Sequence, residues 1–515
     1  MSALGNLVII FLSFLGLCFL WTFIKVVHKL WWRPTRMQKL MRSRGIKGPS
    51  YRFIHGNTKE ILYMKNKAME KPMSLSHNIL PTVQPHIASW VKIYGKNYLQ
   101  WYGTEAQLVV TEPEMIKEIF NNIHGAFPKF ELHPLIKKII GDGIINSEGE
   151  KWTKYRKLSN HAFHGESLKG LSPAMITSVE NMLERWKSYE GKEIEVYEEF
   201  RLFTSDVILR TAFENNYQKG KNIFETLVRL IVLASDNIYK LRFPGISEFF
   251  KTNSQIELDM LDSQVGNNII EVIKERERKV ITGKEDNFGS DFLGLLLKAH
   301  HNAADNERIS IKTVVGECKT FYSAGQETTN SLLAWVVLLL AIHKDWQEEL
   351  RNEVLNLFGK QNPNPDNFAK LKKMGMVFNE TLRLYPPAIS LKRKVEREVR
   401  VGKYILPANL NLFLSALPVH HDSKIWGEDV HEFKPERFSQ GVVGATNNNP
   451  AAFFPFGMGP RNCVGSNFAI VESKIALCMI LQRYSFTLSP TYVHMPYHLV
   501  TTRPMYGIQV ILEPL

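Results

Sequence analysis

The chain has 515 residues and a formal net charge of +13, with 44% hydrophobic and 22% charged residues, the balance of a globular protein with a large core rather than a disordered one. Its four cysteines, Cys18, Cys318, Cys463 and Cys478, lack the spacing of a disulfide framework or a zinc site, which points to a reducing compartment. The basic excess invites nucleic acid as a partner, but no nucleic-acid motif accompanies it and much of it follows an apolar N-terminal run, so no nucleic acid is expected.

Residues 4–24 are apolar apart from Asn6, Ser13 and Thr22. As a helix they span roughly 30 Å, the thickness of a bilayer's hydrocarbon core. No charge precedes Lys25, Trp31 and Trp32 follow, and eight basic residues from Lys25 to Lys47 precede the first acidic one, Glu60. A cleaved signal peptide would carry its basic stretch before the apolar core. The expectation is an uncleaved anchor with a cytosolic basic flank.

Gly45, Gly48 and Pro49 break any helix and mark a hinge. Residues 98–101 and 107–111 flank Gly103 as a short hairpin, and Glu112-Pro113 starts a helix. Residues 127–145, rich in proline, glycine and apolar side chains, are expected to be irregular. Trp152 and Arg156 lie one turn apart on a predicted helix, a spacing that surface Trp–Arg stacks share. Residues 168–300 read mostly as amphipathic helix, with the charges of 274–279 on a solvated face.

Ser310 is placed to cap a long helix running through Leu340. Its middle reads Ala324-Gly325-Gln326-Glu327-Thr328-Thr329. A mid-helix glycine costs about 1 kcal/mol relative to alanine, and Thr328 can bond the carbonyl of Ala324 and open the helix locally. An ordinary core helix with an exposed Glu-Thr pair is the other reading. Asp345-Trp346-Gln347-Glu348 has the form of a capping box. Glu380 and Arg383 are three apart and can pair within a helix, as surface residues often do. Residues 401–405, 410–415 and 507–512 read as strands.

The last stretch is Phe456-Gly457-Met458-Gly459-Pro460-Arg461-Asn462-Cys463-Val464-Gly465. Glycines there let backbone approach a flat group closely, and Arg461 offers a fixed cation to an anionic one. Beyond Gly465, Phe468, Val471, Ile475 and Cys478 recur at helical spacing. Cys463 then sits just before a helix N-terminus, whose partial positive charge favours the thiolate. A buried, inert cysteine beside a Gly-Pro loop is the bland alternative.

F-x-x-G-x-R-x-C-x-G resembles the heme-binding signature of the cytochrome P-450 family. The resemblance implies a mainly α fold with a small β region, behind a single N-terminal transmembrane helix. It implies heme b with Cys463 as axial iron ligand, Phe456 and Arg461 in the heme site, and Trp152, Arg156 and Arg393 beside the propionates. The long helix resembles the family's oxygen-activating segment, so Ala324 and Gly325 would leave room for O2, and Glu327 and Thr328 would relay protons. With Pro435-Glu436-Arg437-Phe438, the E-x-x-R pair resembles the family's buried structural triad of Glu380, Arg383 and Arg437. Residues 127–145 would roof a substrate pocket lined by Leu132, Ala324, Ala388 and Ile389, while Lys154 and Lys157 would face the electron donor.

The expected protein is a membrane-anchored heme-thiolate monooxygenase. Residues 1–24 would be the anchor, 25–55 the basic flank and hinge, and 56–515 the catalytic domain on the cytosolic side of the endoplasmic reticulum membrane. Electrons would come from NADPH through a separate reductase. The overall style resembles the plant clan that oxidises terpenoids, steroid hormones and gibberellins, and the substrate would be a lipophilic terpenoid or steroid-like hormone. A reductase-independent heme-thiolate isomerase or dehydratase, and a non-catalytic heme sensor, are the alternatives. Glu327-Thr328 speaks against the first, which needs no dioxygen activation.

Overall fold

The computed structural model describes residues 3–122, 124–213, 217–237, 251–289, 291–302 and 308–515; part of the expected helical stretch, 238–250, lies outside them. The chain forms two compact units. One comprises Met1–Glu70, Leu80–Phe130 and Ser390–Pro418, and the other Lys71–Ile79, Glu131–Ile389 and Val419–Leu515. It is mostly helical with small sheets, as its motifs imply.

In the first unit the helix Ala3–Val27 passes through a π-helical turn, His28–Trp32, into a second helix, Arg33–Ser43. Backbone angles at Val27 and Trp32 stay α-helical across both joins. Leu12, Leu17 and Phe19 of the first helix are exposed, and the helix is long and apolar enough to cross a membrane. Gly45, at φ +80°, turns the chain after Ser43. Lys47 O then accepts Leu99 N at 2.8 Å, and a Cβ at Gly48 would stand 1.9 Å from Leu99 O. Only glycine permits so close a strap.

The strands Asn97–Tyr102 and Glu105–Val110 form the expected hairpin. Glu105–Val110 pairs in parallel with Asn411–Ser415, which pairs antiparallel with Ser390–Lys394. Tyr98, Val109 and Phe413 on this sheet pack against Ile61, Ile87 and Trp90 from two helices, making the unit's core. The strand expected at 401–405 is instead a tight hairpin of Val399–Val401 and Tyr404–Leu406.

The second unit centres on the helix Ile311–Ile342, where Ser310 Oγ accepts Thr313 N at 3.1 Å. Every residue from Thr329 to Ala341 is buried, as a helix packed on all sides requires. Helices Val196–Phe213, Lys372–Leu384 and Ser466–Leu481 lie against it. The following helix begins at Lys344 with His343 as N-cap. Asp345 is therefore inside the first turn, where its charge suits the helix dipole, and is not the expected cap. Residues 127–145 contain a short helix, Pro134–Ile140, where irregular chain was expected. A three-stranded sheet of Glu193–Glu195, Gln509–Pro514 and Tyr484–Leu488 closes the unit.

Candidate functional site

In the cysteine loop Gly457 and Gly459 have φ of +73° and +71°, which side chains with a Cβ rarely adopt. The loop doubles back, and Cys463 N donates to Phe456 O at 2.8 Å. Burial pushes the Cys463 thiol up, against the opposing pull of a Gly465 N–H and the Arg156 guanidinium. Its side chain is nevertheless open to solvent. Ala324, in the middle of its helix, and Ala388, in a run from Glu380 to Ile389 that is otherwise buried, are open in the same way. A soft ligand, small wall residues and nearby cations fit a heme.

The helix Gly149–Phe163 grips this loop. Arg156 Nη1 donates to Asn462 O at 2.5 Å, and Nη2 to Asn462 Oδ1 at 2.7 Å. The Arg461 guanidinium lies 4.4 Å from the centre of the Trp152 ring. Arg461 also donates to Ser147 O at 2.8 Å and pairs with Glu148. Trp152, Arg156 and Arg461 thus meet at the cysteine loop. Glu148 escaped the sequence reading, although it holds the charge a propionate would share. Lys154 spends its ammonium on Arg308 O at 2.7 Å, while Lys157 is exposed. Arg393 belongs to the first unit, where it is buried with Nη1 on Lys392 O at 2.9 Å and its guanidinium 5.3 Å from the Phe120 ring.

On the long helix Thr328 Oγ1 donates to Ala324 O at 2.7 Å. A Cβ on Gly325 would stand 2.7 Å from Ile208 Cδ1. The glycine therefore admits a neighbouring helix, and Ala324 alone of the two is open. Glu327 accepts from Thr501 Oγ1 at 2.9 Å and from the Tyr197 hydroxyl at 3.2 Å, with Arg503 Nη1 at 3.6 Å. Burial, and then the Glu327 charge, push the Tyr197 phenol up, so it stays protonated.

Glu380 and Arg383 form a fully buried bidentate pair with contacts of 2.7 and 2.8 Å. Arg383 also donates to the carbonyls of His420 and Val430 at 3.0 and 2.7 Å. Arg437 Nε stands 3.5 Å from Glu380, but its nearer carboxylate is Asp429, at 2.7 Å. Asp429 is a fourth member of the group.

Of the pocket residues, Leu132 is half-buried, Ala324 and Ala388 are open and Ile389 is buried. The helix after Leu132 is bonded to the long helix, Thr320 Oγ1 to Ile140 O at 2.5 Å and Ser323 Oγ to Ile139 O at 3.3 Å.

A family model described as Cytochrome P450 matches residues 82–511. Cytochrome P450 CYP749A22 of Panax ginseng is 55% identical over 506 residues, covering 98% of this chain and 96% of its own. Cytochrome P450 734A1 of Arabidopsis thaliana is 38% identical over 501 residues, covering 96% and 94%. The 7-deoxyloganic acid hydroxylase of Catharanthus roseus is 37% identical over 519 residues, covering 98% and 99%.

Proposed function

This chain belongs to the cytochrome P450 family of heme monooxygenases, and we propose that it inserts one oxygen atom of O2 into a lipophilic terpenoid or steroid-like hormone, with electrons from NADPH passed on by a separate reductase. The observation that carries the site assignment is Cys463, held beside a Gly465 N–H and still open to solvent.

In this proposal the Cys463 sulfur would hold the iron of heme b. Phe456, Arg461, Trp152, Arg156 and Arg393 would hold the macrocycle and its propionates. When bound, heme supplies the activation of dioxygen through its thiolate-ligated iron. The protein's own residues bind, orient and move protons. Thr328, fixed on Ala324 O, keeps its hydroxyl at the open face of the helix. Glu327, its carboxylate oriented by Thr501 and Tyr197, relays protons toward it. Leu132, Ala324, Ala388 and Ile389 form the apolar substrate wall, which selects by shape more than by hydrogen bonds. The hydroxylase named for 7-deoxyloganic acid among the relatives supports a terpenoid class.

Residues 1–24 are the single-pass anchor in the endoplasmic reticulum membrane, 25–55 its basic flank, and 56–515 the cytosolic catalytic domain. The exposed apolar helix and the eight basic residues behind it support this placement.

The test is purified full-length protein with NADPH–cytochrome P450 reductase, screened against terpenoids, steroids, gibberellins and fatty acids. Lipophilic hits should shift the heme absorption and be oxygenated in an NADPH-dependent way. Spectral shifts from small hydrophilic molecules alone would overturn the substrate class.

A further inference from the structure

Nine residues beyond Cys463, on the helix Ser466–Leu481, Glu472 is 0% exposed, and neither carboxyl oxygen lies within normal hydrogen-bond distance of a partner among the described residues. Among the described residues no cation pairs with it; the side chain that acts on it is Thr329. Thr329 is itself 1% exposed, with its hydroxyl equally unpartnered among the described residues. One residue further on in each helix, Asn330 and Ser473 are also fully buried, with side-chain polar atoms that have no partner among the described residues. The two helices pack directly. Buried polar groups of this kind are nearly always bonded in folded proteins.

An isolated carboxylate in such a place would cost far more than protonating it. Burial accordingly holds the Glu472 carboxyl well above the usual range and favours its protonated form. An uncharged carboxyl is both donor and acceptor, so it can bond a threonine hydroxyl in either sense. Thr329 directly follows Thr328, and successive residues on a helix point about 100° apart. Thr328 serves the open face near Ala324, and Thr329 the buried face toward Glu472.

We propose that Glu472 is a positioning residue for the oxygen site: its carboxyl and the Thr329 hydroxyl, each buried with no other partner among the described residues, pair with one another and so fix the helical turn that presents Thr328, tying that turn to the helix that follows Cys463. This rests on the reading of Thr328 given above. Glu472 touches neither substrate nor cofactor, and it acts through Thr329.

Two measurements on the full-length holoenzyme test it. Infrared spectra should contain the carbonyl stretch of a protonated carboxylic acid, which moves with isotope-labelled glutamate and is lost in Glu472→Gln. With carbon monoxide bound to the reduced protein, its stretching band reports the polarity beside Thr328. That band should shift or split in Glu472→Leu and in Thr329→Val, and should return to the native position in Glu472→Gln and Thr329→Ser, whose side chains still donate and accept. A native band in both Glu472→Leu and Thr329→Val would overturn the proposal, as would the absence of a protonated-acid band assignable to Glu472. If Glu472→Leu does not fold, Thr329→Val alone decides, a native band overturning the proposal. Failure of the native protein to bind carbon monoxide as a heme-thiolate would sink the functional reading, while the acid band would still decide the state of Glu472.

Discussion

Thr328 Oγ1 reaches Ala324 O at 2.7 Å, while the carboxylate of Glu327, the residue before it, is held by Thr501 at 2.9 Å and Tyr197 at 3.2 Å. Two neighbours in one motif therefore work on different faces of one helix. Thr328→Ala should keep heme and substrate binding but lower coupled turnover by about 10²-fold, the lower end of what a positioned proton donor contributes. The lost reducing equivalents should be recovered as hydrogen peroxide. Native coupling of NADPH to product would remove Thr328 from the mechanism.

The four cysteines should separate cleanly. Cys463→Ala should abolish the strongly red-shifted carbon-monoxide spectrum of a thiolate-ligated heme. Cys318 and Cys478 are buried, and burial pushes both thiols up; alanine at either should leave that spectrum intact, as should alanine at the exposed Cys18.

The charge group around Glu380 should be graded by burial. Glu380→Gln strands the fully buried Arg383 and should cost about 3–5 kcal/mol. Asp429 pairs with Arg437 but keeps 33% of its side chain exposed, so Asp429→Asn should cost about 1 kcal/mol or less. Thermal unfolding of the holoenzyme gives the order, and equal losses would contradict it.

Acid should destabilise the protein through histidines rather than surface carboxylates. Burial holds His77, His86 and His420 down to about 3 and His494 to about 4. Their ordinary value is 6.5. Below it the unfolded chain takes up protons that the folded chain refuses, so stability falls as pH drops from 6.5 toward 4. Each such histidine contributes about 1.4 kcal/mol per pH unit there. Both ring nitrogens of His86 lack a hydrogen-bond partner among the described residues. His86→Leu should flatten the unfolding-versus-pH curve between 6.5 and 4, by about one proton's worth. An unchanged slope would mean that His86 titrates normally.

Lys157 is exposed, whereas Lys154 is committed to Arg308 O. Lys157→Glu should weaken turnover with the reductase most at low ionic strength, because exposed charges are screened beyond a Debye length of about 10 Å at 0.1 M salt. An effect independent of salt would take Lys157 off the docking face.

The parts legible in the sequence were those set by neighbours along the chain. The Thr328–Ala324 bond and the Ser310 cap both follow from spacings of a few residues. The helix Pro134–Ile140 was legible too, since Pro134 opens it and Gly141 closes it, and the apolar run between them was passed over. Other features depend on chain crossings that no local spacing encodes. Glu148 on Arg461, Asp429 on Arg437 and the facing of Glu472 toward Thr329 needed the packed helices. The close approach of Ile208 to Gly325 gave that glycine a packing role the motif alone did not suggest.

The unbroken run of 25, 5 and 11 helical residues from Ala3 to Ser43 makes the membrane segment a shaft and not a string. At 1.5 Å per residue it is about 60 Å long, about twice a bilayer's hydrocarbon core. Its far end is keyed into the first unit, with Met41 and Ile46 at 0% and 1% exposure and Arg44 paired with Glu398 at 2.7 Å. Any twist of the membrane end is therefore inherited by the sheet-bearing unit, whose outlook on the lipid becomes a matter of helical phase. One residue inserted between Lys29 and Lys39 would turn that outlook by about 100°, a rotation that a loose tether would absorb without trace.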